Sequence, residues 1–166
     1  DFRVESNGNA NMLFVDGGSD HVNIGTATDL GGVLNVNGQT VITTAGVDPQ
    51  LQLISTEAGA TQAPILDLYR NSSSPADADV LGQINYYGEN SADEKIDYVR
   101  TRAAIADVTD GDEGGTYVIT TYTSGSQFGR LNILETESVF NENSADIDFR
   151  AESNGDANML FVDGGN

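Results

Sequence analysis

Residues 1–18 read DFRVESNGNANMLFVDGG, and residues 148–165 read DFRAESNGDANMLFVDGG. The two stretches differ only at Val4/Ala151 and Asn9/Asp156, and they lie 147 residues apart. Self-similarity at a fixed offset is the mark of a repeat architecture, in which each unit contacts mainly its neighbours. The alternative is an internal duplication whose two copies pack together in one globular domain. The copies sit at the two ends of the chain, which favours a period over a pair, so residues 1–147 read as about one unit of a tandem array. The chain opens mid-pattern on Asp-Phe-Arg-Val-Glu and closes on Asp-Gly-Gly-Asn, and the expectation is a section through a longer polypeptide.

Working outward from the first copy, short strand signals dominate. Phe2 and Val4 alternate with Arg3 and Glu5. Met12–Val15 is a compact apolar run closed by the turn signal Asp16-Gly17-Gly18. Val22 and Ile24 alternate with His21 and Asn23. Val33–Val36 then meets Asn37-Gly38, the strongest short hairpin dipeptide, followed at once by the strand-like Val41–Thr44. Further strands are expected at Leu51–Thr56, Ile65–Arg70, Leu81–Tyr87, Thr116–Thr123, Leu131–Leu134 and Val139–Phe140. Residues 95–108 read as strand or helix, with strand favoured at the start by the alternation of Ile96 and Tyr98. Asp110–Gly115 is expected as a hairpin turn. With 19 glycines in the chain, helix signals are weak. About a dozen short strands with turn signals every eight to twelve residues predict an all-β protein, a sandwich, barrel or elongated repeat-built fibre. The expected division is a thin β connector over 1–47, a bulkier antiparallel β domain, sandwich-like or prism-like, over 48–140, and the start of the next connector over 141–166.

Composition narrows the function. Asp and Glu number 26 against 7 Lys and Arg, for a net charge of -19 and a pI near 4.1. A chain so acidic lacks the basic patch that releases counterions from DNA or RNA, and it is repelled by anionic membrane surfaces. No apolar run reaches the 18 residues of a transmembrane helix, and no basic-plus-apolar leader opens the chain. Cysteine is absent, so disulfides and thiolate chemistry are excluded. Residues 1–47 hold only two aromatics, Phe2 and Phe14. Such a module buries too little apolar surface to offset an ordering cost of about 1–2 kcal/mol per backbone residue. Without disulfides or a strong metal motif, association of identical chains is the remaining source of burial. Threefold winding would set Phe2, Leu13, Phe14 and Val15 of each chain against their copies.

The stretch DFRVESNGNANMLFVDGG followed by HVNIGT resembles connector segments of marine bacteriophage long tail fibre proteins. ILDLYRNSSSPADADVLGQINYYGENSADEKIDYVR, with TDGDEGGTYVITTYTSG and RLNIL, is similar to the β domain that alternates with those connectors. Together these segments span most of the chain. The resemblance implies a homotrimeric, elongated virion appendage that supplies length and stiffness and presents a distal receptor-binding tip, with host receptor or glycan contacted through other parts of the fibre. It implies no catalysis and no cofactor. Where such connectors often read Val-Gly-Ile-Gly-Thr, this chain has Asn23 in place of the first glycine. Two other functions fit the same pattern: a glycan-binding module of a phage or bacterial adhesin, and a subunit of a bacterial extracellular filament at the cell surface.

Candidate sites are few. Asp107, Asp110, Asp112 and Glu113 form the densest acidic cluster, without the ligand order of a calcium loop, so a solvated turn is expected. Asp16-Gly17-Gly18-Ser19-Asp20 approaches a calcium-binding repeat but lacks its later glycine. His21, the one histidine, has no histidine or cysteine company for a transition metal, and it sits in the thinnest part of the chain for a Ser/His/Asp triad. With 26 acids, no carboxylate pair stands out for glycoside hydrolysis. Asn71-Ser72-Ser73 matches a glycosylation sequon. Tyr69, Tyr86, Tyr87, Tyr98, Tyr117 and Tyr122 are read first as a buried or intersubunit cluster and second as a carbohydrate platform. No catalytic, cofactor-binding or metal residue is assigned.

Overall fold

The structure, a computed structural model, describes residues 1–28 and 30–143. The second repeat copy at 148–165, and with it most of the expected connector over 141–166, lies outside the described residues. Among those described, the protein is all-β: nine strands in two sheets and no helix. Of residues 95–108, read as strand or helix, Lys95–Asp107 form a strand. The chain divides into two compact units, Asp1–Ile65 and Leu66 onward.

The first unit holds β1 (Phe2–Ser6), β2 (Asn9–Asp16), β3 (His21–Ile24) and β4 (Leu34–Val36), side by side in that order. β1 and β2 close over Asn7-Gly8, with Ser6 opposite Asn9. β2 and β3 close over the Gly17–Asp20 turn, with Asp16 opposite His21. β3 and β4 pair in parallel, twelve residues apart: Val22 with Leu34, Asn23 with Asn35, Ile24 with Val36. Backbone bonds from Val22 N–H to Val33 C=O (2.8 Å) and Asn37 N–H to Ile24 C=O (2.9 Å) complete this ladder. Parallel neighbours ordinarily need a long, usually helical crossover; here the short stretch between Ile24 and Leu34 makes the connection.

The second unit holds a five-stranded antiparallel meander: β5 (Val80–Glu89), β6 (Lys95–Asp107), β7 (Gly114–Thr123), β8 (Ser126–Ile133) and β9 (Ser138–Phe140). The tightest connection is Ser124-Gly125 between β7 and β8, with φ of 49° and 83°. Left-handed backbone at both central positions matches the twist of the flanking strands. The β5–β6 turn is held by Asn90, whose Oδ1 accepts from the N–H groups of Ala92 (2.9 Å) and Glu94 (3.0 Å). The expected β6–β7 turn forms around Asp110–Glu113, and β7 begins at Gly114.

Two expectations fail. Asn37-Gly38 does not close a hairpin, because β4 ends at Val36 and Val41–Thr44 forms no strand. Leu51–Thr56 and Ile65–Arg70 likewise form no strand. Their side chains have the composition of strands, but a strand exists only when a neighbour supplies hydrogen bonds, and among the described residues none does. Val47 is fully exposed, and Val41, Ile54 and Tyr69 largely so.

Candidate functional site: two uncovered apolar faces

In antiparallel and parallel ladders alike, residues directly opposite share a face, and successive residues alternate. The register of the first unit therefore sorts its side chains. One face carries two complete rows, Val4–Leu13–Ile24–Val36 and Phe2–Val15–Val22–Leu34. All eight positions are apolar. Nothing covers them fully: Leu34 is 63% exposed, and Phe2, Val4 and Ile24 are exposed as well. Of the expected set Phe2, Leu13, Phe14 and Val15, three share this face. Phe14 lies on the other, because a strand turns neighbours in opposite directions.

That opposite face carries the row Arg3–Phe14–Asn23–Asn35. Asn23 (1% exposed) and Asn35 (5%) are the buried polar residues among those described. Asn35 Nδ2 donates to Asn23 Oδ1 at 2.7 Å, and Gly32 N–H donates to Asn35 Oδ1 at 3.1 Å. Asn23 Nδ2 has no partner. Asn23 is thus the most buried side chain described, held by a two-rung amide ladder. The pattern Val-Asn-Ile, then Leu-Asn-Val twelve residues later, was the sequence signal for it.

The second unit shows the same sidedness. Its register gives three rows on one face: Gly82–Ala103–Tyr117–Ile133–Ser138, Ile84–Thr101–Ile119–Leu131–Phe140, and Tyr86–Val99–Thr121–Phe128. None of these residues is charged. Leu68 sits over the edge, so close to Gly82 that a Cβ there would meet Leu68 Cδ1 at 2.9 Å and Cβ at 3.0 Å. An apolar hollow lined by Leu68, Leu81, Ile84, Ala103 and Tyr117 lies beside this contact. The rest is partly open: Ile84, Tyr86, Tyr117, Ile133 and Phe140 are exposed, Phe140 to 58%, while Val99, Thr101, Ile119 and Leu131 between them are half-buried. Arg130, at a bulge in β8, reaches onto this face, its guanidinium held by the hydroxyls of Thr121, a residue of the third row, and Thr123.

The other face is polar. Gln83–Arg102–Val118–Asn132 and Asn85–Arg100–Thr120–Gly129 run across it. Arg100 Nε donates to Asp97 Oδ2 at 2.9 Å, and Gln127 Nε2 reaches the same oxygen at 3.2 Å. Arg100, Arg102, Thr120, Gln127 and Asn132 border a polar hollow of about 290 Å³. Across both sheets, Ala104 is the one buried hydrophobic residue described.

The residues singled out in the sequence do not converge. Among the described residues, no three His, Asp or Glu side chains group in an arrangement that could hold a metal ion. Asp107 caps the β6–β7 turn, its Oδ1 accepting from Thr109 N–H at 2.7 Å. Hydrogen bonds from the Thr109 hydroxyl and N–H hold its carboxyl below the usual range. Asp16 does the same in the β2–β3 turn: Gly18 N–H donates to its Oδ1 at 2.9 Å. That bond, with smaller help from Ser19 and from His21 opposite, lowers its pKa. Both carboxylates serve as turn acceptors. Asn71 is exposed, its Oδ1 3.5 Å from the Tyr69 hydroxyl.

The tyrosines divide among several settings. Tyr86 and Tyr117 lie on the apolar face. Tyr87 is stacked under Lys95 at 4.1 Å, and Tyr98 meets Tyr122 edge to face at 6.3 Å. Tyr69 lies outside any strand. No protein-family model matches the chain, and a search of curated proteins finds no match.

Proposed function

We propose that this chain is a structural, non-enzymatic module of an elongated β-rich surface fibre assembled from identical chains, a homotrimeric virion tail fibre or a fibre of the same construction. The observation that carries the reading is the pair of one-sided sheets whose apolar faces stand open. A folded chain in water does not leave such faces bare; contiguous apolar patches of this kind mark association. Each of the eight residues on the first face is already partly buried, and covering the remainder is worth about 1 kcal/mol apiece. That face alone then contributes on the order of 8 kcal/mol per chain, comparable with the whole stability of an ordinary domain, roughly 5–15 kcal/mol. The 18-residue repeat supports a modular, axially extended protein, and the resemblance to tail fibre segments supplies the number three and the virion setting.

Light scattering after size exclusion tests this on residues 1–166. The expected mass is three times the 17.5 kDa of one chain, with a hydrodynamic radius too large for a sphere of that mass. A chain that stays monomeric at micromolar concentration and unfolds cooperatively overturns the proposal.

A further inference from the structure

We infer that the apolar face of the second unit is closed by the same face of identical chains, with Ile119 near the centre of contact and the polar face turned to water. The inference rests on the self-assembly reading and adds which surfaces meet. Three observations lead to it. The first is sidedness, since three register rows place only uncharged residues on one face and the Arg100 and Arg102 side chains on the other. The second is charge. Copies carrying -19 each repel one another, so they can approach closely only through a surface free of like charge. The register rows of this face hold no carboxylate, and the charge that reaches onto it, Arg130, is a cation already bonded to the hydroxyls of Thr121, a residue of the face, and Thr123. The third is position. The row Ile84–Thr101–Ile119–Leu131–Phe140 spans all five strands, and Ile119 lies on β7, the middle one. Leu68 covers only the β5 edge at Gly82, so the centre is left for another copy.

Packed sheets lie about 10 Å apart, within reach of a short bismaleimide linker. The chain has no cysteine, so a single Ile119→Cys substitution can be linked only to another chain. The test compares Ile119→Cys with Thr120→Cys, its neighbour on the polar face, and Ile119→Glu with Thr120→Glu. Ile119→Cys should give covalent chain pairs in more than half of the protein and Thr120→Cys less than a tenth of that. Ile119→Glu should weaken assembly, moving the dissociation seen on dilution to at least tenfold higher concentration, while Thr120→Glu leaves it in place. If the assembly forms but Ile119→Cys does not link and Ile119→Glu leaves its dissociation on dilution unchanged, the copies meet elsewhere: this inference falls and the fibre reading stands. If the parent chain does not assemble at all, both fall.

Discussion

Replacing Asn35 by leucine should destabilise the first unit more than replacing Asn35 and Asn23 together. The substitution keeps the number and branching of side-chain heavy atoms and removes the amide that donates one bond and accepts another. It breaks the 2.7 Å bond from Asn35 Nδ2 to Asn23 Oδ1 and leaves that oxygen buried without a donor, on a residue 1% exposed whose Nδ2 is already unpartnered. The lost bond is worth about 0.5–1.5 kcal/mol and the stranded acceptor about 1–3 kcal/mol, for a loss of roughly 2–4 kcal/mol. Gly32 N–H, the other partner, is on a half-buried loop residue with water within reach. In the double leucine variant neither amide remains, nothing is stranded, and the loss falls to about 1 kcal/mol or less. For a chain of this size each kcal/mol moves the melting midpoint by about 2–4 °C. Asn35→Leu should therefore melt roughly 5–15 °C below the parent and below the double variant, followed by circular dichroism at one fixed chain concentration, because assembly couples stability to concentration. A double variant that melts at or below Asn35→Leu would refute the ladder argument. So would Asn35→Leu melting with the parent.

Gly82→Val should cost about 1–3 kcal/mol, because its Cβ would fall within 3.0 Å of the Leu68 side chain; adding Leu68→Ala should recover most of the loss in urea denaturation. Gly125→Val should destabilise the β7–β8 hairpin by about 1–2 kcal/mol, since φ is 83° there, whereas Ser124→Gly at φ 49° should be neutral or stabilising in the same melts. Acidification gives a signed test: the Asp107 pKa is lowered in the folded chain, so its contribution is present above the ordinary aspartate value of 3.8 and is lost as pH falls below it. Asp107→Asn keeps the acceptor for Thr109 without the titration, so the fall in urea midpoint between pH 5 and pH 3 should be shallower than in the parent. Adding salt should strengthen assembly by screening the charge of -19; a mass that falls as sodium chloride rises would point to contacts made by ion pairs.

Much of the strand content was legible because it is locally encoded. Alternation at Phe2–Glu5, Leu81–Tyr87 and Thr116–Thr123 and the turn residues at Asp16-Gly17-Gly18 and Asp110–Gly115 translate directly into β1, β5, β7 and their connections. The misreadings share one cause. Val41–Thr44, Leu51–Thr56 and Ile65–Arg70 have strand-like side chains, and side chains report a suitable surface, whereas a strand also requires a neighbouring backbone. Asn37-Gly38 favours a turn but cannot create the second strand of a hairpin. The parallel direction of β4 was hidden because three residues, Leu34–Val36, say nothing about orientation. The apolar faces became visible only with register: Phe14 beside Leu13 and Val15 looks like one cluster in the sequence and is split between two faces by the pleat.

The direction of β4 also decides where each sheet delivers its chain. A run of antiparallel strands returns the chain to its starting end when the strands are even in number and carries it through when they are odd. The second unit has five antiparallel strands, so β9 runs the same way as β5 and the chain leaves at the end opposite its entry. The first unit has four and would return its chain, but β4 runs parallel to β3, and therefore to β1. That one parallel step corrects the parity. Each sheet thus passes the polypeptide forward by a strand's length, so copies of either one can be threaded in series without a connector doubling back along the outside.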